Sequence, residues 1–341
     1  MELFDGRYEK LDHLGSGAFA EVWKVRDVET GVVEALKIYA SRAGIDDYSK
    51  KLFTHEFSLL ANATHPNLVR PLHFAISKPE GFPYLRMKYC NNGSMKQKIG
   101  RLSEMEAWFL IRDISSALAY LYKMDPPIIH QDIKPENILK DSDKYMLSDF
   151  GISTRVRSAI NHFSMMSNTL KQAGTTDYMA PERFSENKTP VMASDIWSLG
   201  VTIYEMLTME LPFAMGGLSQ LQGEIVPHLE GNFSSVLKQV VEDCMILETW
   251  KRPRAEQLFE VASEVLEGQL HPELPWEKKD VQENKIPNAD DQDCANTPEE
   301  DKEEWPTPLK PPVPQEDGVS KVVVLVLAIA GLAIGVIVAL I

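Results

Sequence analysis

The order of polar residues between positions 130 and 149 constrains this chain most tightly. His130, Gln131, Asp132, Ile133, Lys134, Pro135, Glu136 and Asn137 run together, and Ile138 and Leu139 follow. Twelve positions beyond Asn137 lies Asp149, inside a Ser-Asp-Phe-Gly run. Proline fixes its own φ and lacks a backbone donor, so Pro135 predicts a turn in place of helix. The apolar pairs Ile128-Ile129 and Ile138-Leu139 predict a short buried strand on each side of the polar run. Strands so placed would hold a rigid loop whose polar side chains reach a cleft. Two carboxylates and an amide converging there suit a metal-bound phosphate and a hydroxyl nucleophile.

HQDIKPEN followed by SDFG resembles the catalytic loop and metal-binding motif of the protein kinases. The resemblance continues, motif after motif, over residues 8–266. It implies an α+β, bilobal kinase-like fold over residues 8–268, with a small β-rich lobe at 8–90 and a large helical lobe at 91–268. By that likeness Asp132 is the catalytic base that orients an acceptor hydroxyl, and Lys134 steadies the transferred phosphoryl group. Asn137 and Asp149 would hold magnesium. Phosphoryl transfer asks mainly for positioning and charge neutralisation, which these residue types supply.

Further motifs fall in the family's order. Gly15-Ser16-Gly17 at a hairpin tip lets backbone N–H groups approach phosphates. The third glycine of the family's loop is Ala20 here, which predicts a stiffer lid. Lys37 lies on an alternating strand with Ala35, Leu36 and Ile38, and a buried lysine needs a partner. A helix over residues 49–61 offers Glu56, with Phe53, Phe57 and Leu60 on its apolar face. The resemblance implies that Glu56 pairs with Lys37 and that Lys37 reaches the α- and β-phosphates of ATP. It places the adenine against Met87, the carbonyl of Lys88 and the N–H of Cys90, with Val22, Ala35 and Leu139 completing that nucleotide site.

In the second lobe, Ala107, Leu110, Ile111, Ile114, Ala117, Leu118 and Leu121 follow helical spacing over residues 104–124. Residues 152–179 are a long polar run closed by Ala180-Pro181-Glu182, similar to an activation segment. Thr175 matches the threonine of the serine/threonine subgroup, and Lys134 points the same way. Protein Ser/Thr hydroxyls are therefore the implied acceptors. Asp195 is expected to anchor the loop backbone near His130, Arg252 to pair with Glu182, and His130 to be a packed core residue. Where the family's motif has arginine, Gln131 stands here. A neutral amide cannot form an ion pair with a phosphate, so weak dependence on activation-segment phosphorylation is expected.

The remaining composition bounds the setting. A formal net charge of -15 argues against a nucleic-acid partner. Cys90, Cys244 and Cys294 are sparse and unpatterned, as in a reducing compartment, and no apolar leader marks the N-terminus. Residues 269–320 are rich in acids and prolines, with a proline cluster at 306–314, and read as an extended linker. Residues 322–341 are apolar without interruption, the length a bilayer core demands, and Lys321 flanks them. Residues 321–341 therefore read as a single membrane anchor, with the kinase-like part on the cytoplasmic side. Gly331 and Gly335 form a GxxxG stripe on which two such helices can pack as a homodimer.

Overall fold

The computed structural model describes residues 3–16, 20–39, 54, 57–58, 60–78, 80–149, 176–184 and 191–277. Contacts divide the chain into Met1–Lys285 and Ile286–Ile341, and every described residue belongs to the first unit.

The first lobe is one antiparallel sheet of order β1-β2-β3-β5-β4. Its strands are β1 (Tyr8–Ser16), β2 (Glu21–Asp27), β3 (Val33–Ile38), β4 (Pro71–Ile76) and β5 (Pro83–Lys88). Alternation puts Leu36, Ile38, Val25 and Tyr84 on one face, where they close with Tyr8 into a small core. The opposite face carries Ala35, Leu85 and Met87 into the large core that continues through the second lobe. Helical residues at 54, 57, 58, 60 and 61 cover this side. Leu60 is buried there, and the Phe57 ring lies 5.9 Å from Phe74.

The second lobe is built on α1 (Glu104–Tyr122), α2 (Met192–Thr208), α3 (Gly217–Leu221), α4 (Ser235–Cys244) and α5 (Ala255–Leu266). A capping box starts α1: the Ser103 hydroxyl accepts from the Glu106 N–H, and the Glu106 carboxylate accepts from the Ser103 N–H. The expected apolar positions of α1 are all buried. Each large aliphatic among them contributes about 1.5–3 kcal/mol relative to exposure. Helix α2 is buried on nearly every side, which marks it as the lobe's central element.

Two local expectations change. Ile128 and Ile129 form no strand; the Ile128 N–H bonds the Leu121 carbonyl and so closes the end of α1. Pro135 opens a one-turn 3-10 helix, Pro135–Asn137, because the first position of a helix needs no N–H. The strand after the loop does form, as β6 (Ile138–Asp141) paired with β7 (Lys144–Leu147).

The fold also runs past residue 268. Trp276 is 9% exposed and belongs to the large core, and its indole N–H donates to Asp243 at 2.8 Å. Pro272 and Trp276 are buried and Leu274 packs against the same core, so the linker begins later than composition suggests. Among the described residues no helix is long and apolar enough to cross a membrane. Residues 321–341, with Gly331 and Gly335, lie outside them.

Candidate active site

Asp195, at the start of α2, is fully buried and organises the loop at 130–137. One carboxylate oxygen accepts from the His130 N–H at 2.7 Å and the Tyr122 hydroxyl at 3.1 Å. The other accepts from the Gln131 N–H at 2.7 Å. Burial raises the Asp195 carboxyl above its ordinary value, and the donors pull the other way. These bonds hold Gln131 at φ +69°, a left-handed conformation unusual for glutamine.

His130 is packed at 0% exposure. Its Nε2–H donates to the Ser148 carbonyl at 2.9 Å, and its Nδ1 accepts from the Asp132 N–H at 3.3 Å. Burial lowers its pKa, so it sits neutral as a spacer between the loop and the Ser148-Asp149 turn. The Ser148 N–H and hydroxyl both donate to the Asn137 carbonyl, at 2.8 and 3.0 Å. Ser148 had no expected role; its signal was only its place before Asp149.

The three loop side chains converge. The Lys134 ammonium lies 3.0 Å from both Asp132 carboxylate oxygens. The Asn137 amide donates to the Asp132 carbonyl at 2.7 Å and to its carboxylate at 2.9 Å. Both N–H groups of that amide are thus turned toward Asp132, which leaves its carbonyl oxygen for a cation. Asp149, at φ +58°, receives the Lys37 ammonium at 2.5 Å. Lys37 is buried, and burial works to lower its pKa, but the Asp149 charge holds it above its ordinary value. Burial likewise works to raise Asp149, and the Lys37 charge and hydrogen bond hold it below. A lysine of the sheet is thereby joined to a carboxylate 112 positions away. Glu56, the expected partner of Lys37, and Gly17 lie outside the described residues.

Around this charged group, Ala35 pairs across the sheet with Met87, and both join Cys90 in the large core. Val22 and Leu139 are half-buried against the same core. Burial pushes the Cys90 thiol up to about 11, so it is a packing residue and not a nucleophile. Lys88 is exposed, and its ammonium meets Asp141 of β6 at 2.5 Å, bridging the end of β5 to the second lobe. Gly15 and Ser16 end β1 opposite Val22 and Glu21, and the Ser16 hydroxyl lies 3.0 Å from His13 Nε2.

Below the loop, the turns Thr176–Tyr178 and Pro181–Phe184 are fastened to the helices. Arg252, at 0% side-chain exposure, clasps Glu182 at 2.8 and 3.0 Å and also bonds the carbonyls of Ala193, Ile246 and Leu247. The Tyr178 hydroxyl donates to Glu205 of α2 at 2.5 Å. Glu205 was not singled out from the sequence, where it reads as one polar residue in an apolar helix. Thr175 and Phe150-Gly151 lie outside the described residues.

Residues 8–262 match the protein kinase domain family. The chain belongs to the protein kinase family. Curated kinases similar to it include the probable serine/threonine-protein kinase nek2 of Dictyostelium discoideum, 31% identical over 266 residues. Serine/threonine-protein kinase 1 of Arabidopsis thaliana is 30% identical over 267 residues, and the 3-phosphoinositide-dependent protein kinase 1 of Mus musculus is 30% identical over 261. Each alignment covers 74% of this chain, but only 62%, 30% and 45% of the respective relatives. The chain therefore spans less than two thirds of their length.

Kinase membership implies ATP and a divalent cation, and the donor set fits both. A small hard cation takes oxygen ligands and keeps several sites for water and phosphate, so one carboxylate and one amide oxygen suffice from the protein. Asp149, held ionised by Lys37, and the carbonyl side of the Asn137 amide would be those ligands. Lys37, paired across the sheet with Val22, would supply positive charge for the phosphates, and Ala35, Met87 and Leu139 would supply apolar walls for a base.

Proposed function

We propose that this kinase transfers the γ-phosphoryl group of ATP to Ser/Thr hydroxyls of protein substrates, from a position tethered to a membrane. The observation that carries the chemistry is the convergence of Asp132, Lys134 and Asn137 beside an Asp149 bonded to Lys37. Magnesium-ATP supplies the activated phosphoryl group and neutralises its charge. Asp132 accepts the proton of the incoming hydroxyl as the hydroxyl turns nucleophilic. Lys134, already on that carboxylate, is placed to offset charge gathering on the transferred group. Lys37 holds the rest of the nucleotide's charge, and the buried loop keeps these groups fixed before substrate arrives.

The names of the similar kinases support Ser/Thr as acceptor, as do Lys134 and Thr175. Incubating the full chain with labelled ATP, magnesium and generic protein substrates, beside Asp132→Asn, tests the reading. Label on Ser and Thr in the wild type alone supports it; no difference between the two proteins, or label on Tyr alone, refutes it.

Tethering rests on the apolar run at 322–341, and confinement there would raise the effective concentration of membrane-bound substrates. The use of ATP favours a cytoplasmic kinase domain. Vesicle flotation of the full chain and of residues 1–285 checks the anchor: only the full chain should float. The Gly331/Gly335 stripe proposes a homodimer in that anchor. Gly331→Ile with Gly335→Ile should abolish crosslinking between copies, and an unchanged crosslink ends the idea.

A further inference from the structure

We propose that Gln131 and Arg183 form a positioning pair that fixes the catalytic loop on the substrate-facing segment without any phosphate; this rests on the kinase reading above. The Arg183 guanidinium donates to the Gln131 side-chain carbonyl at 3.1 Å, across 52 positions of sequence. The amide of the same side chain donates to the Ile129 carbonyl at 3.4 Å. Gln131 therefore accepts and donates at once, which no arginine or lysine can do.

Both ends of the link are anchored. Gln131 precedes Asp132 and is held at its left-handed φ by Asp195. Arg183 sits in the turn Pro181–Phe184, with its N–H on the Ala180 carbonyl and its neighbour Glu182 clasped by Arg252. Gly217 backs the same turn so closely that an added Cβ would stand 2.2 Å from the Pro181 nitrogen. A shift of the turn is thus passed to Gln131, and from there to the Asp132 backbone.

The space around the link also bears on what it can hold. Gln131, Arg183, Asp195 and Ser198 border a cavity of about 10 Å³. By this measure it admits about one water. An arginine at position 131 would set two guanidinium groups against each other, both donors and both charged. The glutamine is matched to Arg183, so the pair is complete as the chain folds.

The test uses the full chain in four forms: wild type, Gln131→Arg, Arg183→Gln, and the exchange that carries both. A hydrogen bond to a charged group is worth about 1.5 kcal/mol, so each single change should lower kcat about tenfold with KM for ATP unchanged. The exchange restores one donor facing one acceptor, and kcat should return to within about threefold of wild type. Gln131→Glu keeps the acceptor and should keep most of the rate, whereas Gln131→Met, of similar size, should lose about tenfold. Treating the wild type with a phosphatase should leave kcat unchanged.

Full kcat in Arg183→Gln overturns the proposal. So does an exchange no better than the product of the single losses, or a lowered melting temperature that accounts for every rate loss. If phosphatase removes the activity that Arg183→Gln removes, Arg183 reads a phosphate and the pair is not the device. A wild-type chain without transfer activity overturns the kinase reading as well, whereas the other failures leave that reading standing.

Discussion

Residues 130–137 and the paired strands β1 and β2 serve the same site but are held in different ways. The loop draws partners from far along the chain: Asp195 on two backbone N–H groups, Ser148 on His130 and Asn137, Arg183 on Gln131. Strands β1 and β2 are held by the sheet itself: β1 pairs with β2, and β2 also pairs with β3. Tyr8 and Val25 share a small core with Leu36, Ile38 and Tyr84, while the side-chain pairs between β1 and β2 are local. Arg26 meets Glu9 at 3.0 Å, Lys24 meets Asp12 at 3.5 Å, and the His13 ring stands edge-on to Trp23. Each of those pairs has one exposed member, and such pairs contribute little each. Bulges between Lys10 and Asp12 and between His13 and Gly15 interrupt the ladder, and Leu14 is left 45% exposed. The groups proposed for proton and charge chemistry are thus set when the chain folds. The outer strand β1, with its bulges and exposed pairs, has fewer long-range ties than the loop, and local opening is expected there.

The largest expected effect separates chemistry from that scaffold. Asp132→Asn should cut kcat by about 10³-fold, the range of a lost general base. The amide can still bond Lys134 and Asn137 in part, so the melting temperature and ATP binding should hold. Hydrogen exchange is the second readout: the His130 and Gln131 amides should stay protected in the variant, while the β1 amides exchange early in both proteins. Loss of protection at 130 and 131 would mean that the catalytic carboxylate itself holds the loop, and the contrast would fail.

The next effect strikes the scaffold alone. Arg252→Ala strands Glu182 and three carbonyls, and should cost about 3–5 kcal/mol in denaturant unfolding. The pair also predicts an acid limb. Burial works to raise the Glu182 carboxyl, but Arg252 holds it below its ordinary value of 4.5. A depressed folded pKa gives stability that is full above the unfolded value and is lost as pH falls through the folded one. Wild type should therefore lose more stability below pH 4.5 than Arg252→Ala, whose stability should change less over that window. Parallel pH curves for the two proteins would show that Glu182 gains nothing from its partner.

How much of this was legible depended on the kind of signal. Lys37, Asp132, Lys134, Asn137 and Asp149 could be named because the spacing of polar residues in a motif survives in one dimension. Helix α1 could be drawn because its apolar period is regular. Asp195 and Arg252 were placed through the motif order around them, and their expected bonds are present. The Gln131 and Arg183 contact was not legible, since two polar residues 52 positions apart share no period. Only the mismatch at Gln131 drew notice, as a missing charge and not as an acceptor. Ile128 and Ile129 misled because a short apolar run reads alike as strand or as the packed exit of a helix.

Trp276 escaped for a related reason: one aromatic among prolines and acids carries no periodicity. It also supplies the third test. Trp276→Ala should cost about 3 kcal/mol, as loss of a buried tryptophan does, and should leave KM for ATP untouched. The Asp243 carboxyl is raised by burial and eased by the indole N–H. Trp276→Phe, which keeps the ring but not the donor, should recover most of the loss if apolar burial dominates. A variant as stable as wild type would return residues 269–277 to the linker.

Two glycines give the smallest and sharpest version of the contrast. On α2, a Cβ added at Gly200 would stand 2.7 Å from the Cys244 side chain and 2.9 Å from that of Met245. Both neighbours are core residues of the second lobe, so Gly200→Ala should cost about 1–3 kcal/mol through overpacking. On β1, the same atom added at Gly15 would meet nothing within 4 Å, and the backbone there is not left-handed. Gly15→Ala should stay within about 0.5 kcal/mol in stability and about twofold in KM for ATP. The comparison turns on the second number. A large rise in KM would show that bound nucleotide draws the hairpin backbone closer than a methyl group allows, so that its freedom ends in a fixed contact. A KM within twofold would leave Gly15 as a residue of an open strand, and the site's fixed geometry would rest with the loop and Lys37.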